Sequence, residues 1–332
     1  MAWGPNDKPA ILIGEKTLIV WNAQTQTQHF IRSARFSSQS ELGFIVPLPS
    51  IPEVADLKDD PFALLDKVME DLRPKNYQFW PRQNFLKGSN LDGAVGSSGG
   101  FGGAPGAVQV VATYDLEEFE VNVLKANELA PLEEWIQKNA FELRPALKDW
   151  LNVYLNEEAY FAVFKFKVMN ESPESLESFT SKAVRLSFKT KVPFYPYRDA
   201  KDNQAGMQRN LNLYFLAEQS YEPDFFQNSA LLAAESWQRN PMFSSEINVP
   251  SSLREFGAAK KMWLTLWQDD SLQRPDRDLN FVPRKAKQRI LLSPEDIDLS
   301  PYVMLALFFC GLGFVGYVIF RILKQIFRKK SV

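Results

Sequence analysis

Two hydrophobic periods alternate along the first 270 or so residues, and each predicts a kind of element. Residues 10–36, AILIGEKTLIVWNAQTQTQHFIRSARF, hold two apolar, β-rich runs separated by a polar Asn/Gln/Thr stretch, the pattern of a hairpin with a medium loop. LGFIVPLP follows as a third strand ended by its prolines. The period then changes: Asp60 is placed as an N-cap with Pro61 at the first helical position, and Phe62, Leu65, Val68, Met69 and Leu72 keep helical spacing along one face. AVQVVATYDL and EFEVNVLKA predict a second hairpin. Leu132, Trp135 and Ile136 mark another helix, and Leu147, Trp150, Leu151, Tyr154 and Leu155 a third, with Pro145 at its start. AYFAVFKFKV alternates apolar residues with Lys165 and Lys167 as a half-exposed strand, and AVRLSFKT, NLYFLAEQ and KMWLTLW complete the strand set.

The C-terminus departs from both periods. From Pro301 to Phe320 the chain runs twenty residues without a charge, about the ~20 needed to cross a ~30 Å hydrocarbon core as a helix. Arg321, Lys324, Arg328, Lys329 and Lys330 follow with no acid among them, whereas Glu295, Asp296 and Asp298 precede it. The positive-inside rule then places the tail in the cytoplasm and the rest of the chain outside. The expected fold class is therefore α+β, a mainly antiparallel sheet with a block of amphipathic helices, plus one C-terminal transmembrane helix. The expected domains are an extracytoplasmic ectodomain over 1–298, the membrane helix over 299–322 and a basic cytoplasmic tail over 323–332. Residues 269–298, charged and strand-poor, form the expected membrane-proximal connection. Ala306, Cys310 and Gly313 offer a small-residue face for close approach of a second helix, a lipid-facing anchor being the equal alternative. MAWGPNDKPA lacks the basic and apolar regions of a signal peptide. A signal already removed and a tail-anchored protein with a cytosolic body both account for this, and the first is favoured because five cations are costly to translocate.

Composition narrows the chemistry. The formal net charge is −2, and Lys and Arg are interspersed with Asp and Glu outside the tail, which argues against a nucleic-acid partner. One cysteine, Cys310, and one histidine, His29, exclude disulfide frameworks, Cys-rich zinc sites and His-pair metal sites, and no cofactor is predicted. Eight of the sixteen glycines lie in residues 88–106, GSNLDGAVGSSGGFGGAPG. After Gly100 and Gly102 the third position of a dinucleotide fingerprint is Pro105, so this stretch is expected to be a surface loop rather than a phosphate cradle.

Few residues carry a chemical argument. His29 lies in the strand Gln-His-Phe-Ile-Arg on the face opposite Phe30, and catalysis there needs a nucleophile from elsewhere in the fold, with no G-x-S-x-G elbow to supply it. Asp199, Asp202 and Asn203 offer oxygens to a calcium ion, but their spacing departs from the EF-hand loop. The proline-punctuated aromatic loops are the better candidate. Tyr195, Tyr197, Arg198, Arg209 and Trp237 stand there in the residue types enriched at interface hot spots, although core packing explains many of the aromatics equally well.

The run EKTLIVWNAQTQTQHFIRSARFSSQSELGFIVPLPSIPEV, with RPALKDWL, FAVFKFKV and VRLSFKTKVPFYPYR, resembles the bacterial family catalogued as domain of unknown function 2330, from about Glu15 to Arg198. The resemblance implies an exported protein with a C-terminal membrane helix and supplies no catalytic residues. Many relatives begin with a cysteine-containing segment, which AWGPND lacks. The expected function is a non-enzymatic interaction or structural subunit of a bacterial envelope assembly. Its expected partners are the lipid bilayer and a second protein or another copy. The alternative is an extracytoplasmic hydrolase or calcium-dependent binding protein using acidic loop residues.

Overall fold

The computed structural model describes residues 2–3, 11–37, 43–78, 108–139, 144–167, 178–200, 210–227, 241–271, 277–285, 288–299, 303 and 317. They belong to two units, Met1–Glu70 with Asp92–Leu291 and Asp71–Leu91 with Leu292–Val332.

In the larger unit the β-branched and aromatic runs pair as their period of two predicts. Strands β1 (Ala2–Trp3), β2 (Ile11–Asn22), β3 (Thr27–Ser37), β4 (Gly43–Leu48) and β5 (Glu53–Asp56) precede helix α1 (Pro61–Asp71). Strand β6 (Lys75–Gln78) belongs to the smaller unit. The chain of the larger unit resumes with β7 (Val108–Asp115), β8 (Phe119–Ala126), helices α2 (Leu129–Lys138) and α3 (Pro145–Asn156), and β9 (Tyr160–Phe166). Next come β10 (Phe179–Thr180), β11 (Val184–Lys189), β12 (Phe194–Tyr195), β13 (Asn210–Ala217) and β14 (Tyr221–Pro223). Strand β15 (Phe243–Asn248), a helical turn at Ser251–Arg254, β16 (Lys261–Asp269) and β17 (Leu279–Pro283) complete it.

These strands form a five-stranded sheet ordered β1-β4-β9-β8-β7, an eight-stranded sheet ordered β15-β16-β13-β2-β3-β11-β5 with β10 also on β3, and a three-stranded sheet β12-β17-β14. Only β2 and β13 run parallel within them. The α+β expectation is corrected by this arrangement: 49% of the described residues are in strands and 20% in helices, and the sheets are largely antiparallel. The error has a physical source. Short strands such as β5, β12, β14 and β17 are two to five residues long, bounded by proline or charge, and show no alternation before their partners are known.

The predicted helices are present, and α1 starts at the cap expected for it. Phe62 donates its backbone N–H to Asp60 Oδ1 at 2.9 Å, the N-cap bond read from the sequence. α1 buries Phe62, Leu65 and Met69, and the Phe62 ring lies 5.6 Å from that of Tyr214 on β13. α3 begins at Pro145 and buries Leu147, Trp150, Leu151, Tyr154 and Leu155. One expectation for β9 fails: Phe161, Ala162, Val163 and Phe164 are all buried, so the strand is covered on both faces rather than half-exposed. Aromatic contacts couple the two large sheets. Phe36 of β3 stacks on Phe44 of β4 at 5.9 Å, Phe44 stacks on Phe164 of β9 at 4.4 Å, and Phe119 of β8 meets Phe164 edge-on at 5.6 Å. Each such pair contributes about 0.5–1.5 kcal/mol beyond its buried area.

A polar cluster lies inside this apolar core. Glu15 on β2 and Arg32 on β3 are 6% and 5% exposed. Arg32 Nη2 donates to Glu15 Oε2 at 3.1 Å, and Nε stands 2.9 Å from Oε1 as an ionic contact outside hydrogen-bonding angle. Glu15 Oε1 accepts from the hydroxyls of Thr17 and Tyr195, both at 2.8 Å. The Arg32 guanidinium also lies 4.8 Å from the centre of the Phe44 ring.

In the smaller unit β6 pairs in parallel with β18 (Glu295–Asp298), and Arg73 Nη1 donates to the Ser293 carbonyl at 3.1 Å. The stretch 269–298, expected to be strand-poor, thus contains β17 and β18. Among the described residues no helix is long and apolar enough to cross a membrane. The expected span 299–322 lies outside the described residues except at Leu299, Val303 and Tyr317, and so do Ala306, Cys310, Gly313, the tail 323–332 and the glycine-rich loop 88–106.

The buried pair makes a quantitative prediction. Glu15→Gln leaves the Arg32 charge uncompensated and should cost about 3–5 kcal/mol, whereas Glu15→Leu combined with Arg32→Met should cost far less than the two single changes together. Urea unfolding of the four proteins in this cycle measures the coupling.

Candidate functional site

The C-terminal end of α3 and the loops after β4 and β11 bound a cleft of about 520 Å³ in the larger unit. That volume is within the range of small-ligand and side-chain binding sites. Its lining is mixed: Leu48, Pro49, Ala159, Val192 and Phe194 are apolar, and Tyr154, Glu157, Lys191, Arg198, Asp224, Arg277, Asp278 and Asn280 are polar or charged.

Side-chain to backbone bonds hold this frame. Gln28 on β3 acts as a short stretch of strand: its Nε2 donates to the Phe194 carbonyl at 2.7 Å and its Oε1 accepts from the Phe194 N–H at 2.9 Å. Ser50 ties the loop after β4 to the end of β11, donating to the Lys189 carbonyl at 2.7 Å and accepting from the Lys189 N–H at 3.1 Å. Thr190 Oγ1 donates to the Val192 carbonyl at 2.8 Å. From α3, Trp150 Nε1 donates to the Arg198 carbonyl at 2.8 Å, and the Trp150 and Tyr154 rings, one helical turn apart, meet edge-on at 4.7 Å.

Inside the cleft, Tyr154 donates its hydroxyl to Asp278 Oδ1 at 2.7 Å, and the Arg198 N–H donates to the same oxygen at 3.0 Å. Burial pushes the Asp278 carboxyl above its usual range. Burial, then the Asp278 charge, pushes the Tyr154 phenol far above its own, so the tyrosine keeps its proton and remains a donor. The Arg198 guanidinium lies 5.5 Å from the Tyr154 ring centre and 3.4 Å from Glu157 Oε1. Arg277 lies over the Phe225 ring at 4.7 Å. Arg198, the one sequence-predicted binding residue at this cleft among the described residues, is thus fixed by α3 on its main chain and by Glu157 at its tip.

The other predicted residues fall elsewhere. Tyr195 is 2% exposed and donates to Glu15, and Tyr197 is 0% exposed and donates to buried Asp269. The alternation of residues 194–198 turns both rings inward and leaves Phe194 and Arg198 at the cleft, so neither tyrosine presents a surface. Asp199 is half-buried, and Arg209, Trp237, Asp202 and Asn203 lie outside the described residues. Among the described residues no three of His, Cys, Asp and Glu converge as a metal site would require. Tyr154, Lys191, Asp278 and Asn280 were not singled out by sequence. Tyr154 reads there as one more core position of α3, and Asp278 as one more charge in RPDRDLN.

His29 occupies the face of β3 opposite Phe30, as alternation requires, and its neighbour across the ladder is Ser187 of β11. Nδ1 and Ser187 Oγ share a hydrogen bond of 2.8 Å, and the ring lies 5.7 Å from Phe256. Burial first, then the Arg185 charge, lowers the imidazole from the usual 6.5 to about 4, so it is neutral at physiological pH. The serine is the nucleophile candidate that sequence left open. Its strand is paired with β3 on one side and β5 on the other, which commits the nearby backbone N–H groups to ladders instead of an oxyanion. Because the folded value lies below the unfolded one, the folded state resists protonation between about pH 6.5 and 4, and stability is lost as pH falls through that window. Screening at this partly exposed position limits the loss to on the order of 1–2 kcal/mol. In His29→Gln this component is absent, so the stability gap between wild type and variant should narrow from pH 7.5 to pH 4.5 in parallel urea titrations.

No curated protein and no solved structure gives a significant match to this chain. Residues 6–277 match the family described as an uncharacterized protein conserved in bacteria, DUF2330. That match takes in both large sheets apart from β1, α1 to α3 and most of the cleft, and the chain belongs to this bacterial family.

Proposed function

We propose that this chain is a non-enzymatic binding protein of the bacterial envelope, with the cleft beside Arg198 as its recognition site. The supporting observation is that Asp278 and Glu157, two of the three acids lining the cleft among the described residues, are already engaged, while the third, Asp224, leaves its buried Oδ1 without a hydrogen-bond partner. Asp278 accepts from Tyr154 and the Arg198 N–H, and Glu157 faces the Arg198 guanidinium, so neither is poised to take a proton from a substrate. Loops held by side-chain hydrogen bonds and lined by both apolar and charged groups suit recognition, where preorganisation lowers the ordering cost of association. The envelope location draws on the uncharged run 301–320 and the basic residues after it.

The hydrolytic reading has one observation on its side, the hydrogen bond between His29 and Ser187. An imidazole at about 4 is a weak base at neutral pH, which favours the binding reading.

Isolation of the native protein from membranes in mild detergent, with measurement of particle mass and composition, tests the proposal. A partner at fixed stoichiometry is expected, and Lys191→Glu together with Arg198→Gln should lower its retention about tenfold or more while the urea midpoint stays within error of wild type. Recovery of a lone monomer, or full retention by the double variant, refutes it.

A further inference from the structure

Three cations, Lys191, Arg198 and Arg277, and three carboxylates, Glu157, Asp224 and Asp278, line the cleft, so its described charges balance. Their engagements differ. Arg198 stands 3.4 Å from Glu157, Asp278 accepts from the Tyr154 hydroxyl and the Arg198 N–H, and Arg277 lies over the Phe225 ring. Among the described residues, Lys191, Asp224 and the exposed Asn280 make no hydrogen bond or ion pair through their side chains. The unspent groups are thus one ammonium, one carboxylate and one amide.

The register of the three-stranded sheet sets their order. β17 is its middle strand, with β12 on one side and β14 on the other. Asn280 pairs with Phe194 of β12, and on the opposite edge Val282 and Phe281 pair with Glu222 and Pro223, so the next step of that register leads to Asp224 beside Asn280. Lys191 reaches the cleft from the chain that enters β12. Neighbouring strands lie about 4.8 Å apart, which sets the β12 flank with its cation and the β14 flank with its carboxylate on the order of 10 Å from each other, the amide between them. Asp224 Oδ1 is buried without a hydrogen-bond partner, an unmet acceptor whose cost an incoming donor relieves. The terminal torsion of an aspartate is soft and two-fold, so either oxygen can turn toward the cavity.

From this order of groups we propose that the cleft binds a short peptide with free termini, of dipeptide size. Its N-terminal ammonium meets Asp224, its C-terminal carboxylate meets Lys191, and its peptide group meets the Asn280 amide, which both donates and accepts. The inference rests on the binding reading above and deepens it by naming the ligand class. Balanced lining charge with one unspent group of each sign selects a zwitterion over a ligand of net charge. Two extended residues span about 7 Å and so approach both flanks at once, whereas a free amino acid carries both charges on one carbon and leaves a flank unmet. The volume of about 520 Å³ has room for two residues, and Leu48, Val192 and Phe194 offer apolar cover to their side chains.

The test uses the full chain in mild detergent and titration calorimetry with four dipeptides, alanyl-leucine, leucyl-alanine, glycyl-phenylalanine and seryl-valine. The tightest of them is then compared with its N-acetylated and C-amidated forms, and each block should weaken binding at least about tenfold. Asp224→Asn should remove the penalty of acetylation alone and Lys191→Met the penalty of amidation alone, while both variants keep the wild-type urea midpoint. Failure of all four dipeptides to bind below about 10 mM, blocked forms that bind as well as the free peptide, or a penalty that survives its variant overturns the proposal. Full displacement by the free C-terminal amino acid at matched concentration overturns the peptide length in favour of a single amino acid. If no dipeptide binds while the Lys191→Glu, Arg198→Gln protein still loses its native partner, the ligand class is wrong and the binding reading stands. If a dipeptide binds as expected while the native protein is isolated as a lone monomer, the macromolecular partner is wrong and the ligand assignment stands.

Discussion

A single buried ion pair joins three sheets of the larger unit. Glu15 and Arg32 meet diagonally across the β2–β3 hairpin, where desolvation penalises each charge unless the other is present. Glu15 also takes the Tyr195 hydroxyl from β12 in the three-stranded sheet, and Arg32 lies against Phe44 of the five-stranded one. A slip of one residue in the hairpin would turn Glu15 and Arg32 to opposite faces and strand both charges. The pair therefore specifies register as well as linking layers. That constraint is the stronger reading of its role, since an apolar replacement of similar volume often matches a buried pair in stability.

The cleft inherits its shape from this register. Gln28 is four residues from Arg32 on the same strand and so projects from the same face of the sheet. There it fixes Phe194, whose neighbour Tyr195 is fixed by Glu15. Residues 194 and 195 thus carry two successive anchors from the same hairpin. The Gln28 bonds tie Phe194, at the cleft, to the core strand behind it. From α3, Trp150 and Tyr154 hold residue 198 and Asp278. A cleft framed by a hairpin and a helix in this way lowers the ordering cost that the proposed recognition role would incur.

Much of this was legible in the sequence, and what was hidden follows a rule. The hairpins β2–β3 and β7–β8, and the strands β4, β11, β13 and β16, were readable because each is long enough to repeat its period. α1 and α3 were readable because Pro61 and Pro145 mark their first turns and the apolar positions recur at three and four. β5, β12, β14 and β17 were hidden because strands of two to five residues carry no internal period and exist through their partners. Their omission gave helices too much weight and produced the α+β expectation. β9 was misjudged for a different reason: Lys165 lies at its half-buried end and Lys167 just beyond it, while residues 161–164 are buried on both faces. At the site, Arg198 was found through its aromatic company, yet the tyrosines that drew attention to it turned out to be core. Pattern alone cannot distinguish a tyrosine that spends its hydroxyl on a buried carboxylate from one that offers it to a partner.

The same distinction between spent and unspent groups separates binding from catalysis in this fold. A catalytic base must be free to receive a proton and must have a pKa near the working pH. His29 has the hydrogen bond to Ser187 that a general base would use but fails the second condition, because burial and Arg185 lower its pKa to about 4. Asp278 is raised, as a catalytic acid would be, but it accepts two hydrogen bonds, and the phenol beside it is held firmly protonated. Perturbed titration here records burial within a satisfied network, which structural ion pairs produce as readily as active sites do. Among the described lining residues, the side chains outside that network include the Lys191 ammonium, the Asn280 amide and Asp224, whose buried Oδ1 has no hydrogen-bond partner. The engagement of Asp278 and Tyr154 is what supports the recognition role proposed for the cleft.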